Sequence, residues 1–136
     1  MATIETIYEG QLRARSKHMQ SGTELTTDAP TDNHGKGEAF SPTDLVATAL
    51  GSCMLTIMDI TVSRSGVDLK GTRLSVNKIM ASDPRRIGEI EIDFYFPADY
   101  DDKTKKILER AADSCPVAKS LHPDLKQTLR FHYGKE

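Results

Sequence analysis

The segment "IGEIEIDFYFP" alternates polar and apolar residues from Glu89 to Phe96. Ile90, Ile92, Phe94 and Phe96 share one face, and Glu89, Glu91, Asp93 and Tyr95 share the other. That predicts a strand with one wet side. The preceding "LKGTRLSVNKIMA" puts Thr72, Leu74, Val76 and Lys78 on one face and Arg73, Ser75, Asn77 and Ile79 on the other. "SDPRR" between the two is turn chemistry, so they form a hairpin. Near the N-terminus, "TIETIYEGQLRARSK" alternates weakly and predicts one strand. "QSGTEL" is a turn, and "TELTTDAP" predicts a shorter second strand. "DLKQTLRFHYG" predicts a last strand, with Leu129, Phe131 and Tyr133 on one face.

The period changes in "FSPTDLVATALGSCMLTIMDI". Leu45, Val46, Ala49, Leu50, Cys53, Met54, Ile57, Met58 and Ile60 recur at steps of three and four, the spacing of an apolar helical stripe. Ser41 is a suitable N-cap, with Pro42 at the first helical position and Asp44 at the third. The pattern predicts a helix from Pro42 to about Arg64, closed by Gly66. Its stripe is broader than one sheet face covers, which predicts burial on most sides, against a sheet and a second subunit. "DYDDKTKKILERAADSC" predicts another helix, capped by Asp101 or Asp102, with Ile107, Leu108, Ala111 and Ala112 facing inward. "CPVAKSL" predicts a short helix with Pro116 in its first turn, and "DAPTDNHGKGEAFSP" a polar loop. The order β-β-α-β-β-α-α-β is α+β, with hairpins rather than βαβ crossovers.

Composition narrows the function. A chain of 136 residues suits a single domain, 1–136, and 38% hydrophobic with 28% charged residues is a globular balance. A net charge of -2 excludes the electrostatic footprint of a nucleic-acid or anionic-membrane binder. No apolar run reaches the roughly 18 to 20 residues of a membrane span. "MATIETIYEG" lacks the basic and apolar regions of a signal peptide, so the default location is cytoplasmic and reducing. The two cysteines are then expected to be thiols or a redox pair rather than a structural staple. His18, His34, His122 and His132 are scattered without zinc-site spacing, and no metal or cofactor is expected.

Cys53 and Cys115 are the candidate chemistry. Cys53 follows Gly51 and Ser52, small residues that admit another chain or a substrate. A buried packing cysteine is the plain alternative. Cys115 precedes Pro116 at a helix start, where the dipole and free N–H groups are expected to lower a thiol pKa, with Lys119 one turn on. Contact between the two sulfurs requires their helices to pack together.

"SPTDLVATALGSCM" followed by "SCPVAKSL", with the N-terminal "YEGQLRARSKHMQSGTELTTDAP", resembles the OsmC/Ohr family, the osmotically inducible and organic hydroperoxide resistance proteins. The resemblance runs over nearly the whole chain and points to the OsmC-like branch. It implies an α+β OsmC-like fold with antiparallel sheets wrapped around a long central helix in an intertwined homodimer. It also implies a thiol peroxidase with active sites at the subunit interface. Cys53 would attack an organic hydroperoxide, Cys115 would resolve the sulfenic acid to a disulfide, and a dithiol such as a dihydrolipoyl group would be the reductant. The peroxidase branches carry a Glu ten positions before the first cysteine, paired with an Arg from the N-terminal hairpin turn. Here that position is Thr43, with Asp44 next to it, and Gln20 falls near the Arg position. Arg15, Lys17 and His18 lie nearby, and Arg15 is the better thiolate partner because its charge is permanent. Asp44 either substitutes for the Glu or caps the helix, the cap being the more usual role of an N3 carboxylate. Two further readings stay open: a non-catalytic protein of this fold holding an apolar ligand, and a structural dimer whose cysteines only pack.

Overall fold

A computed structural model describes residues 1–134. The chain divides into two compact units, Met1–Val46 and the part from Ala47 onward. The boundary falls inside the long helix α1 (Pro42–Val62).

The first unit is an antiparallel sheet in the order β1 (Ile4–Gly10), β2 (Arg13–His18), β3 (Glu24–Asp28). The single strand expected from "TIETIYEGQLRARSK" is therefore two. The chain reverses at Gln11 and Leu12, which take φ of 55° and 65°. Those are left-handed values that such side chains seldom adopt, so the turn lacks the Asn-Gly or Asp-Gly signature that would announce it. The Leu12 N–H donates to the Tyr8 hydroxyl at 3.1 Å across this turn.

Beyond β3, the loop to α1 is organised by a buried carboxylate. The Asp28 side chain has no exposed surface. It accepts from the Glu38 N–H at 2.9 Å and from the Arg13 guanidinium at 3.3 Å. The Glu38 N–H, burial working against it and Arg13 adding to it, holds the Asp28 carboxyl below its ordinary range. Arg13 also pairs with Glu38. The strand, the loop and their ion pairs thus share one anchor, which no local sequence pattern announces.

α1 begins as the sequence predicts. The Ser41 N–H donates to Asp44 Oδ2 at 2.9 Å, and the Asp44 N–H donates to Ser41 Oγ at 3.0 Å. This is a reciprocal capping box. The helix ends at Val62, and a 3₁₀ turn (Ser63–Ser65) runs into Gly66 at φ 76°. The expectation of burial on most sides is not met within one chain. Ala47, Leu50, Gly51, Met54, Met58 and Val62 are buried, while Ile60 is 65% exposed. The expectation that no segment matches a membrane span is also corrected. Pro42–Ser65 is long and apolar enough by length and composition, with a mean hydropathy of 1.8 over its best window, because Thr, Ser and Gly interrupt the run without lowering its average much. Core helices share that property, and 33% of the window is already buried within one chain.

The second unit sets the buried stripe of α1 on a three-stranded sheet in the order β4 (Arg73–Ala81), β5 (Arg86–Phe96), β6 (Lys126–Tyr133). Ile90, Ile92, Phe94 and Phe96 are all buried, as their alternation predicts. β4 and β5 form the expected antiparallel hairpin, but β6 runs parallel to β5. This corrects the reading of hairpins without crossovers. The connection through α2 (Asp102–Asp113) and α3 (Pro116–Ser120) carries the chain back to the start of β5, so β6 begins where β5 begins. Register puts Phe94 beside Phe131 and Phe96 beside Tyr133, with ring centroids 4.9 and 4.8 Å apart. α2 is capped by Asp101, which accepts from the Thr104 N–H at 2.8 Å, and it buries Leu108, Ala111 and Ala112.

Two outcomes follow for stability. On the wet face of the sheet, Asp93 accepts from Arg130 at 2.9 and 3.0 Å and contacts His132 Nε2 at 2.9 Å. Arg130 first, then His132, hold its carboxyl down at about 2. A depressed carboxyl stabilises fully above its unfolded value and loses that contribution as pH falls through the folded one. Asp93→Asn should therefore lower stability by about 1 kcal/mol at pH 7, discounted because Arg130 is half-exposed, and the gap to wild type should close between about pH 4 and 2 in urea melts at stepped pH. Asp44→Ala should cost roughly 0.5 to 1 kcal/mol in the same melts through the lost cap and dipole terms. A carboxylate that served only to hold a catalytic cation would leave the melt unchanged.

Candidate functional site

Cys115 occupies the joint between α2 and α3. Its N–H donates to the Ala112 carbonyl at 3.4 Å, and its carbonyl accepts from the Lys119 N–H at 3.1 Å. Pro116 sits in the first turn of α3 and suits it, since that position has no intrahelical N–H partner to lose. The Cys115 sulfur is the cap itself and accepts from the Ala118 N–H at 3.3 Å.

The predicted cap is therefore present, but its expected consequence is not. Cys115 is wholly buried. Burial is the largest influence on its thiol and raises the pKa, against the smaller lowering effect of the Ala118 N–H. A hydrogen bond with the Cys53 side chain and that sulfur's charge raise it further. Desolvation of a thiolate thus outweighs the Ala118 and Val117 peptide donors at a five-residue helix, whose dipole is small. Burial thus favours the protonated form of Cys115.

Cys53 lies on the fourth turn of α1 and is half-buried, and both cysteines are free thiols. The structure makes these two candidates neighbours, since the Cys53 side chain is among the groups that raise the Cys115 thiol. The packing that allows it is local to α1. A Cβ on Gly51 would stand 2.8 Å from Leu74 Cδ1 and 3.9 Å from Ile92 Cδ1, so the helix lies against β4 and β5 at this turn. One turn further along its exposed side, Leu55, Thr56, Asp59 and Ile60 border a cleft of about 400 Å³ closed by Leu69 and Thr72. Cys53 itself does not line that cleft.

The other two candidates sit in different surroundings. Arg15 is half-exposed in β2, 3.4 Å from Glu9 and 3.8 Å from Glu24. Lys17 and His18 follow in the same strand, and His18 Nδ1 contacts Ser21 Oγ at 2.6 Å. Asp44 takes part in the capping box of α1. The sequence reading overlooked Gln127, whose Nε2 donates to the Ala118 carbonyl at 3.2 Å. A polar residue between Lys126 and Thr128 on a strand gives no hint that it reaches the cysteine-bearing turn.

Comparison with known proteins bears on the whole chain. Residues 35–130 match the family model for OsmC-like protein. A crystal structure of a candidate osmotic stress induced and detoxification response protein from Psychrobacter arcticus 273-4 is 52% identical, with a TM-score of 0.94, covering 97% of this chain and 96% of that one. A Legionella pneumophila organic hydroperoxide resistance protein OsmC aligns at 12% identity and TM-score 0.76, covering 95% and 94% of the two chains. A Vibrio cholerae candidate organic hydroperoxide resistance protein, solved with captopril in one of its active sites, aligns at 13% identity and TM-score 0.75, covering 96% and 92%. No curated protein sequence matches. With most of its length matched by the family model and a 52% identical relative covered almost end to end, the chain belongs to the OsmC-like protein family.

Proposed function

We propose that this protein is a thiol peroxidase that reduces organic hydroperoxides with Cys53 and Cys115. The observation that carries the reading is a pair of neighbouring free thiols in unlike environments, one half-buried and one wholly buried with its pKa raised. The more accessible sulfur is the one a peroxide reaches. As a thiolate, Cys53 attacks the outer oxygen of ROOH, the O–O bond breaks, and the alkoxide leaves with a proton as ROH. Cys53 is then a sulfenic acid. Cys115 gives up its proton and attacks that sulfur, forming the Cys53–Cys115 disulfide and releasing water. An external dithiol of the dihydrolipoyl type returns both thiols. The organic hydroperoxide resistance proteins that share this fold support the substrate class. Nothing in the cycle calls for a metal or cofactor, and the setting that suits it is the reducing cytoplasm.

The test is a count of free thiols with an aromatic disulfide reagent, before and after one equivalent of cumene hydroperoxide. Loss of both thiols per chain is expected. Cys115→Ser should leave Cys53 as a sulfenic acid that a dimedone probe captures and excess peroxide over-oxidises. Full retention of thiols in wild type would instead favour the ligand-binding reading, to which Thr43 in place of the peroxidase Glu lends weight. The same assay addresses the cation. Slower Cys53 alkylation at pH 7 in Arg15→Ala, with an unchanged melt, would assign Arg15 to the thiolate.

We also propose that the working unit is a homodimer. The exposed face of α1 carries Ile60, and Ile4, Ile7, Tyr8 and Leu25 are exposed on the first sheet. These exposed apolar side chains are surface that a second copy of the chain would cover. Sedimentation across a wide dilution series should give about 30 kDa throughout, twice the 15.0 kDa chain. A folded 15.0 kDa species at micromolar concentration would overturn this.

A further inference from the structure

We propose that Gln127 is a positioning residue for Cys115, acting through the peptide unit that joins Ala118 to Lys119. The inference rests on the peroxidase reading for its chemical meaning, but its geometry stands apart from it. α3 is five residues long and buries none of them completely. A helix of that length does not hold itself in water. Its N-terminal end is tied by Cys115, through the Ala118 N–H to sulfur bond and the Lys119 N–H to carbonyl bond. Gln127 adds a tie from outside, donating from β6 to the Ala118 carbonyl at 3.2 Å. That carbonyl belongs to the same peptide unit as the Lys119 N–H. The Gln127 amide, the Ala118–Lys119 peptide and the Cys115 carbonyl therefore form one hydrogen-bonded chain, and donation at one end strengthens the bond at the other.

β6 supplies a rigid base for the tie. Gln127 pairs in register with Ile90 of β5, whose side chain is completely buried. Without the tie, α3 is held to the sheet by fewer contacts, and fraying of its single turn withdraws the Ala118 N–H from the sulfur. Cys115 can then turn away from Cys53. In the resolving step the Cys115 sulfur must meet the Cys53 sulfenic acid, expelling water as the S–S bond forms. Its rate depends on how much of the time the two sulfurs face each other.

The experiment compares wild type with Gln127→Met and Gln127→Glu, which keep the length and lose the donor, and with Gln127→Lys, which restores one. The first readout is the equilibrium of the purified protein with glutathione. The two thiols reduce one glutathione disulfide, giving the protein disulfide and two glutathione thiols, and the constant reports the effective concentration of one protein thiol at the other. Loss of one neutral hydrogen bond should lower that constant about fivefold in the Met and Glu variants, and Lys should recover most of it. The second readout is the ratio of disulfide to Cys53 sulfinic acid under excess cumene hydroperoxide. It should fall about fivefold in the same two variants, while the rate of the first peroxide attack is unchanged. Wild-type values for both readouts in the Met and Glu variants would overturn the proposal, as would equal losses in the Lys variant. If wild type itself forms no Cys53–Cys115 disulfide with peroxide, the peroxidase reading fails. The glutathione equilibrium then still decides for or against Gln127.

Discussion

The seating of α1 on the β4–β5 hairpin is the constraint on which the chemistry depends. Leu50, Met54, Met58 and Val62 follow one another at four-residue steps and are essentially without exposed surface. Each such side chain contributes on the order of 1.5 to 3 kcal/mol of burial, so the orientation of the helix about its own axis is strongly fixed. Gly51 lets the helix come close to Leu74 and Ile92 at the turn before Cys53. The sulfur of Cys53 is carried on the line of residues beside that buried stripe. A rotation that exposed the sulfur fully would also lift Leu50 and Met54 out of the core. The half-buried position of Cys53 thus follows from the packing of its neighbours more than from any preference of its own.

Cys115 is placed by a different balance. Its backbone joins two helices, and its sulfur takes the role that a Ser or Asp side chain commonly fills at an N-cap. A sulfur is a weaker acceptor than oxygen, and this one is buried, so the cap does not offset the rise in its pKa. A sheltered thiol with a raised pKa beside a more accessible one is an asymmetry suited to a two-step reaction. The first step needs a sulfur that a peroxide can reach. The second needs a sulfur that waits close by, protected from direct oxidation.

The first unit shows the opposite use of polarity. Asp28 is buried as a carboxylate, and it is tolerated because the Glu38 N–H and the Arg13 guanidinium both meet it. Arg15, two residues from Arg13 and therefore on the same side of β2, faces Glu9 and Glu24 instead. The two arginines of one strand serve unlike partners: one fixes a loop, and the other balances carboxylates on an exposed surface. Position along a strand gives the face of a basic residue, but the partner comes from neighbouring strands and loops.

Local pattern determined the elements whose causes are local. The alternation from Glu89 to Phe96 set the buried face of β5, the Ser-Pro-Thr-Asp start set the capping box of α1, and Cys-Pro set the beginning of α3. The two cysteines, read with the segments around them, also pointed to the family to which the chain belongs. Tertiary structure decided what depends on distant neighbours. The turn at Gln11 and Leu12 is imposed on residues with no preference for it. The direction of β6 follows from the path of α2 and α3, while its alternating faces read the same for a parallel or an antiparallel partner. The protonation preference of Cys115 runs against the local pattern for the same reason. A helix start is visible in sequence and predicts a lowered pKa, but desolvation depends on what surrounds the sulfur, and only the packed fold supplies that.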